Sequence, residues 1–121
     1  SRAARKQTPD RFVGQYGGSG GGYLVTREFV LDGSGIEINA RSKLGLRSFI
    51  RAEICEYPGK AVEGFSFDNF KTLALDHDRI PLQWENADVL SLRSRAIFLR
   101  FELCDSYLYG FRVTDETQGN V

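Results

Sequence analysis

Residues 97–113 constrain the fold more than any other part of the chain, because apolar and polar side chains alternate there along two consecutive runs. The apolar face of the first run is formed by Ile97, Leu99, Phe101 and Leu103. After a break at Asp105 and Ser106, the second run places on one face Tyr107, Tyr109, Phe111 and Val113. A period of two is typical of strands with one buried face. The two runs and the short break between them predict a β-hairpin at the centre of a sheet.

Shorter pieces of the same pattern occupy much of the remaining chain. The clearest of them are residues 36–40, 50–54 and 80–84. Turn-forming residues separate these pieces, as where Pro58 and Gly59 predict a type II turn, and helical periodicity is nearly absent. Eight or so short strands predict an all-β fold, a two-sheet antiparallel β-sandwich of jelly-roll type.

The length of the chain limits the number of domains, and its charge balance limits the classes of partner. The 121 residues suffice for one hydrophobic core, and we expect a domain over residues 9–113 with tails at 1–8 and 114–121. Sixteen basic and sixteen acidic residues cancel, so no long-range field favours nucleic acid or an anionic membrane. No apolar run approaches the roughly 20 residues that span a bilayer. We therefore predict no nucleic-acid partner, no membrane partner and no cofactor.

Asp76, His77 and Asp78 form a cluster with metal-ligand character. Two carboxylates beside the single histidine suggest a divalent cation held by Asp76 and Asp78, or acid–base chemistry in a small stand-alone enzyme. Adjacent residues of an extended segment point to opposite sides, however, and the chain has no second histidine to complete a site. A solvated loop is the favoured interpretation, and no catalytic residue is predicted.

Five aromatic residues are candidates for contacts outside the core. Phe49 and Phe98 share the parity of charged residues on their strands, so both are expected on an outer face. There they would form an apolar patch for a protein partner, unless a loop or tail covers them. Tyr16, Tyr23 and Tyr57 lie beside glycine- or proline-rich segments, where a flat exposed ring could stack on a sugar. We take these three tyrosines as candidate ligand-binding residues.

Cys55 and Cys104 lie in matching contexts, since each is the last residue of an Arg-x-Glu-x-Cys pattern. If their strands were neighbours in a suitable register, the two sulfur atoms could form a disulfide. The alternative, which we favour, is a pair of thiols on the outer face of a sheet. Two cysteines do not decide the redox compartment.

Several segments of the chain together resemble a known accessory domain. They read PDRFVGQ, GGYLVTREFVLDGSGIEINA, IRAEICEYPGKAVEGFS and FLRFELCDSYLYGFRV, with the strand of Trp84 between the last two. Covering residues 9–113, they resemble the C-terminal β-sandwich that follows the catalytic propeller in bacterial proteins related to family 32 glycoside hydrolases, the invertase and levanase type. The chain departs from that pattern at Phe70, where a cysteine is common, and at Leu75, where a glycine is common.

The resemblance implies a non-catalytic accessory module of a carbohydrate-active enzyme. Such a module would brace a parent catalytic domain or contact carbohydrate beside it. The catalytic carboxylates of the relatives belong to the propeller, so no catalytic residue carries over to this chain. The resemblance also implies a secreted or periplasmic parent. Two alternatives are an independent carbohydrate-binding module and a protein-interaction module that uses Phe49 and Phe98.

Overall fold

The structure of the protein is a computed structural model that describes residues 10–17, 22–43, 48–71 and 75–115, with the backbone alone described for 10–17, 77 and 78. These residues form nine strands and two short 3₁₀ helices. The strands make two antiparallel sheets that pack face to face around a hydrophobic core. The prediction of an all-β sandwich is confirmed. The predicted tail at 1–8 lies outside the described residues.

The first sheet contains four strands in the spatial order β1-β9-β4-β7. Its members are β1 (Asp10–Gly17), β9 (Ser106–Thr114), β4 (Gly35–Ser42) and β7 (His77–Pro81). One edge strand of this sheet is β1. The other edge strand is β7, which ends at Pro81, and proline is tolerated there because it cannot donate a ladder hydrogen bond.

The second sheet has the spatial order β2-β8-β5-β6, and β3 pairs with β8 beyond β2. Its members are β2 (Gly22–Val25), β3 (Phe29–Val30), β8 (Ala96–Cys104), β5 (Phe49–Tyr57) and β6 (Lys60–Ala61). Two 3₁₀ helices, Phe67–Asn69 and Val89–Leu92, lie in the connections that follow β6 and β7. Asp88 caps the second helix, because its side chain accepts a hydrogen bond from the Leu90 N–H.

The strand order is that of a jelly roll. Because β2 and β3 both pair with β8, they act as one interrupted strand, and each sheet then has four strands. The chain alternates between the sheets, leaving one sheet for the other at every connection except the β2–β3 break and the β5–β6 turn. The prediction of a jelly-roll sandwich is confirmed.

The predicted hairpin at residues 97–113 is wrong, because β8 and β9 lie in different sheets. β8 pairs with β5 and with β2, whereas β9 pairs with β1 and β4. Asp105 turns the chain with a positive φ of 48°, and the next residue, Ser106, already belongs to the opposite sheet. Both strands are central, but each is central to its own sheet. The stretch therefore joins the two halves of the sandwich.

A β-bulge in β9 changes which tyrosines face the core. Asn39 pairs with Gly110 and Ala40 with Leu108, so Tyr109 has no partner on β4. Leu108 takes the core position and is fully buried, while Tyr109 is 39% exposed. The prediction that Tyr107 and Tyr109 share a face with Phe111 and Val113 is wrong. Their rings lie nearly parallel on the outer side of the first sheet, with centroids 6.2 Å apart.

The core contains the residues that alternation predicts. Buried side chains from β4, β5 and β8 include Ile36, Ile38, Ala40, Ile50, Ala52, Ile54, Ile97, Leu99, Phe101 and Leu103. Trp84 closes one end of the core and donates its indole N–H to the Ala52 carbonyl at 3.0 Å. Phe65 and Phe70 contact the Trp84 ring edge-on, at centroid distances of 5.4 and 5.3 Å.

Candidate functional site

The outer face of the second sheet presents two ion pairs fixed by strand register. β5 and β8 run antiparallel with Arg51 opposite Glu102 and Glu53 opposite Arg100, and directly opposed residues project from the same face. The Arg51 Nε donates to Glu102 Oε1 at 2.7 Å, and Arg100 Nη1 donates to Glu53 Oε2 at 3.0 Å. Because the Arg-x-Glu spacing occurs on both strands, antiparallel pairing places each arginine opposite a glutamate of the other strand.

Phe67, in the first 3₁₀ helix, covers both pairs. Its ring centroid lies 5.1 Å from the Arg51 guanidinium carbon and 5.4 Å from that of Arg100, which is cation–π geometry. The helix is held by Asn69, whose side-chain oxygen accepts from the Ser66 N–H at 3.1 Å and from its hydroxyl at 3.0 Å. This connection therefore locks the two arginines between a sheet and an aromatic ring.

Tyr23, on β2, completes the arrangement from the other side. Its ring stacks over the Arg100 guanidinium carbon at 4.4 Å, and its hydroxyl donates to Glu102 Oε2 at 3.4 Å. The Phe67 ring centroid lies 6.3 Å away, yet Tyr23 remains 59% exposed. We call Tyr23, Arg51, Phe67, Arg100 and Glu102 the Tyr23 face. It offers an oriented, solvent-accessible ring flanked by charged hydrogen-bonding groups.

The other two candidate tyrosines lie elsewhere. Tyr57 is exposed at the end of β5, beside the turn in which Gly59 has a φ of +90°, as a type II turn requires. Six residues of extended chain, about 20 Å, separate it from the Arg51 position. Tyr16 pairs with Tyr107 in the first sheet, and its side chain lies outside the described residues. Tyr23 and Tyr57 therefore do not form one site.

Phe49 and Phe98 lie at opposite ends of the β5–β8 pair. Phe49 pairs with Cys104 and Phe98 with Cys55, a separation of about 20 Å along the strands. Phe49 is 40% exposed, with the Arg51 guanidinium carbon 5.7 Å from its ring centroid, whereas Phe98 is half-buried. The structure therefore does not bring the two rings into one patch.

The same register separates the cysteines. Cys55 and Cys104 are six residue pairs apart along β5 and β8, far beyond the reach of a disulfide, and both are thiols. The possible disulfide is therefore wrong. Cys55 has the same parity on β5 as Arg51 and Glu53, as predicted, but it is fully buried. Burial, and then the nearby Glu53 carboxylate, raises its pKa from 9.0 to about 11, which makes it a poor nucleophile.

The carboxylate of Asp76 has a structural role. Its oxygens accept from the Ser42 N–H at 2.7 Å and from the Ser42 hydroxyl at 2.9 and 3.1 Å. His77 and Asp78 begin β7 rather than forming a loop, and their side chains lie outside the described residues. Among the residues with described side chains, no three potential metal ligands cluster. Asp76 thus fastens the end of β4 to the start of β7.

A polar cleft of about 460 Å³ lies at one end of the sandwich. It runs between the start of β4, the end of β9 and the loop that links β7 to the second 3₁₀ helix. Sequence analysis missed it because its residues come from four separate segments and follow no period. The one available signal was the mostly polar segment 83–88, and such segments are typical of any loop.

Compared with known protein families, with curated proteins and with solved structures, the chain has no match. The resemblance to the accessory domain of family 32-type hydrolases therefore stays a prediction, based on the segments quoted above. Within the ranges that the structure describes, no helix has the length and apolar character needed to cross a bilayer.

Proposed function

We propose that this domain is a non-catalytic accessory module of a carbohydrate-active enzyme and that its Tyr23 face contacts carbohydrate. The exposed Tyr23 ring, held on Arg100 and flanked by Glu102, is the observation that carries the proposal. The family resemblance supports the enzyme class and a secreted or periplasmic parent. Bracing of the parent catalytic domain is the other part of the proposed role.

A sugar has an apolar C–H face and an edge of hydroxyl groups, and the Tyr23 face matches both. A tyrosine ring combines an apolar body with a polar tip, and Tyr23 keeps most of its surface accessible. The guanidinium of Arg100 and the carboxylate of Glu102 lie beside the ring and can donate to and accept from sugar hydroxyls. Because Phe67 and the ion pairs fix these groups, little conformational entropy is lost on binding.

The charges of this face favour binding over catalysis. Glycoside hydrolysis uses two carboxyl groups on either side of the scissile bond, one of them protonated. Glu53 is 7% exposed and is held by Arg100, while Glu102 is held by Arg51. Both carboxylates are therefore already engaged in ion pairs with arginine. We therefore assign the hydrolytic chemistry of the proposed enzyme to its parent catalytic domain.

Calorimetric titration with levan, inulin and common plant glycans tests the carbohydrate contact. We expect weak binding to at least one glycan and a loss of tenfold or more in affinity, about 1.4 kcal/mol, for Tyr23→Ala. Tyr57→Ala removes an equally exposed tyrosine and should leave the affinity unchanged. No heat with any glycan, or equal losses in the two variants, contradicts the proposed contact.

The parent enzyme has a separate test, which is the reading frame upstream of Ser1. A glycoside hydrolase propeller encoded there supports the accessory role. A start codon next to Ser1 contradicts it, even where the domain itself binds sugar.

A further inference from the structure

The polar cleft at the end of the sandwich is distinct from the Tyr23 face and has the size of a ligand site. Its volume of about 460 Å³ falls within the usual range for small-molecule pockets. The Tyr23 face lies on the outer side of the second sheet, whereas the cleft opens beside β4 and β7 of the first. The cleft and the Tyr23 face have no residue in common.

The lining combines an apolar floor with a polar rim. The floor contains the buried residues Ile36, Leu82, Trp84 and Val89. The rim contains Ser34, Glu37, Lys71, Gln83, Asn86, Asp88 and Thr114. Hydroxyl, amide, ammonium and carboxylate groups thus converge above apolar side chains, a combination typical of sites that orient a small polar ligand.

Two amide side chains of the rim are available to a ligand. Gln83 and Asn86 make no side-chain hydrogen bond within the described part of the chain. Each amide supplies two donors and a carbonyl acceptor. The backbone that carries them is nevertheless fixed, because Gln83 O accepts from the Lys71 N–H at 2.9 Å and the Leu82 N–H donates to Ile36 O at 2.8 Å. The two amide side chains can therefore bind a ligand, and the backbone at Leu82 and Gln83 is already fixed.

The charges of the rim favour an uncharged ligand. The rim has one lysine and two carboxylates, and Arg79 compensates one of these carboxylates, so no excess charge selects an anion or a cation. Both carboxylates have partners, since Glu37 accepts from Arg79 Nε at 3.0 Å and Asp88 accepts from the Leu90 N–H at 3.1 Å. A hard cation such as Ca²⁺ takes about six to eight oxygen ligands, with carboxylates prominent among them, and both carboxylates of the rim already have partners.

We infer that this cleft binds an uncharged mono- or disaccharide. The hydroxyl groups of the sugar would exchange hydrogen bonds with Gln83 and Asn86, above side chains that belong to the core. Sugar hydroxyl groups both donate and accept hydrogen bonds, and the rim contains both donors and acceptors. The inference does not depend on the Tyr23 face, and each site can exist without the other.

Chemical-shift mapping and tryptophan fluorescence test this site. Fructose, glucose and sucrose are titrated into the ¹⁵N-labelled domain, with sodium phosphate and calcium chloride as probes of the other ligand classes. We expect saturable shifts at residues 34–37 and 83–88. Trp84 is the single tryptophan of the chain and lines the cleft, so its emission should follow the same binding curve.

The variant test combines Gln83→Ala with Asn86→Gly. Glycine tolerates the positive φ of 63° at position 86, so the change removes the amide without straining the backbone. We expect a loss of tenfold or more in affinity in the double variant and no loss in Tyr23→Ala. The ¹⁵N spectrum of each variant shows whether it is folded.

Three results would overturn the inference. Shifts confined to the Tyr23 face would remove the cleft site and leave the proposed function intact. Shifts at the cleft with phosphate or calcium alone would assign it to another ligand class. Absence of shifts at residues 34–37 and 83–88 with all three sugars would exclude the site even if the double variant failed to fold. If a sugar binds in the cleft and Tyr23→Ala leaves the glycan affinity unchanged, only the proposed Tyr23 contact is contradicted.

Discussion

We expect Thr26→Val to destabilise the domain. The substitution removes a hydrogen-bond acceptor at the point where the edge strand of the second sheet is interrupted. Residues 23–31 predict one strand, but the structure has two, with Thr26 between β2 and β3. The Thr26 N–H donates to the Leu99 carbonyl at 2.9 Å, and its hydroxyl accepts from the Leu99 N–H at 3.0 Å. The same hydroxyl donates to the Arg27 carbonyl at 2.9 Å. The side chain thus replaces a backbone carbonyl in the β-ladder.

Valine has nearly the shape of threonine but no hydroxyl group. In Thr26→Val the N–H of the fully buried Leu99 loses its acceptor, and a buried unsatisfied donor costs about 1–3 kcal/mol. Thr26→Ser keeps the hydroxyl and loses one methyl group, at a cost of about 0.8 kcal/mol. We therefore expect valine to lower the free energy of unfolding more than serine does.

Urea unfolding of the wild type and both variants measures this difference. With an m-value near 2 kcal/mol/M, a loss of about 2 kcal/mol moves the valine midpoint down by roughly 1 M. Hydrogen exchange at the Leu99 amide provides a local readout, and we expect it to accelerate in Thr26→Val relative to Thr26→Ser. A valine variant as stable as wild type, paired with a destabilised serine variant, would refute the reasoning because packing alone would then account for position 26.

Two further predictions concern Cys55 and Gly33. The thiol of Cys55 has a pKa of 9.0 when unperturbed and about 11 in the fold, so the unfolded chain releases this proton first and stability should fall as pH rises through that window. Urea unfolding against pH should show a weaker decline in Cys55→Ala, and equal declines would contradict the assignment. A Cβ at Gly33 would lie 2.3 Å from the Thr114 carbonyl oxygen, whereas one at Gly35 would meet the Thr114 hydroxyl at 2.9 Å. Gly33→Ala should therefore destabilise the domain by about 1–3 kcal/mol and Gly35→Ala by less, and a reversed order of thermal midpoints would refute this.

Local sequence patterns correctly predicted which side of β4, β5, β7 and β8 is buried. Alternation placed Ile36 and Ile38 in the core, and the same pattern placed Ile80 and Trp84 there, because side chains in a strand alternate between two faces. Pro58 and Gly59 predicted their turn because one fixes a negative φ and the other tolerates a positive φ. These features depend on a residue and its immediate neighbours.

The arrangement of the candidate sites depended on contacts between distant parts of the chain. Alternation around Arg51 and Arg100 predicted an outer face, but only the β5–β8 register revealed that each arginine faces a glutamate on the other strand. The covering by Phe67 and the stacking of Tyr23 add segments from elsewhere in the sequence. No local pattern encodes which strands become neighbours, because pairing is decided by long-range packing.

For residues 97–113, the sequence by itself determined two strands and the buried face of the first. The tertiary structure decided that these strands belong to different sheets and that a bulge turns Tyr109 outward. A period of two defines faces but not partners, and one extra residue in a strand exchanges its faces. Both outcomes depend on β4 and β5, since pairing with these two strands holds β9 and β8 on opposite sides of the core.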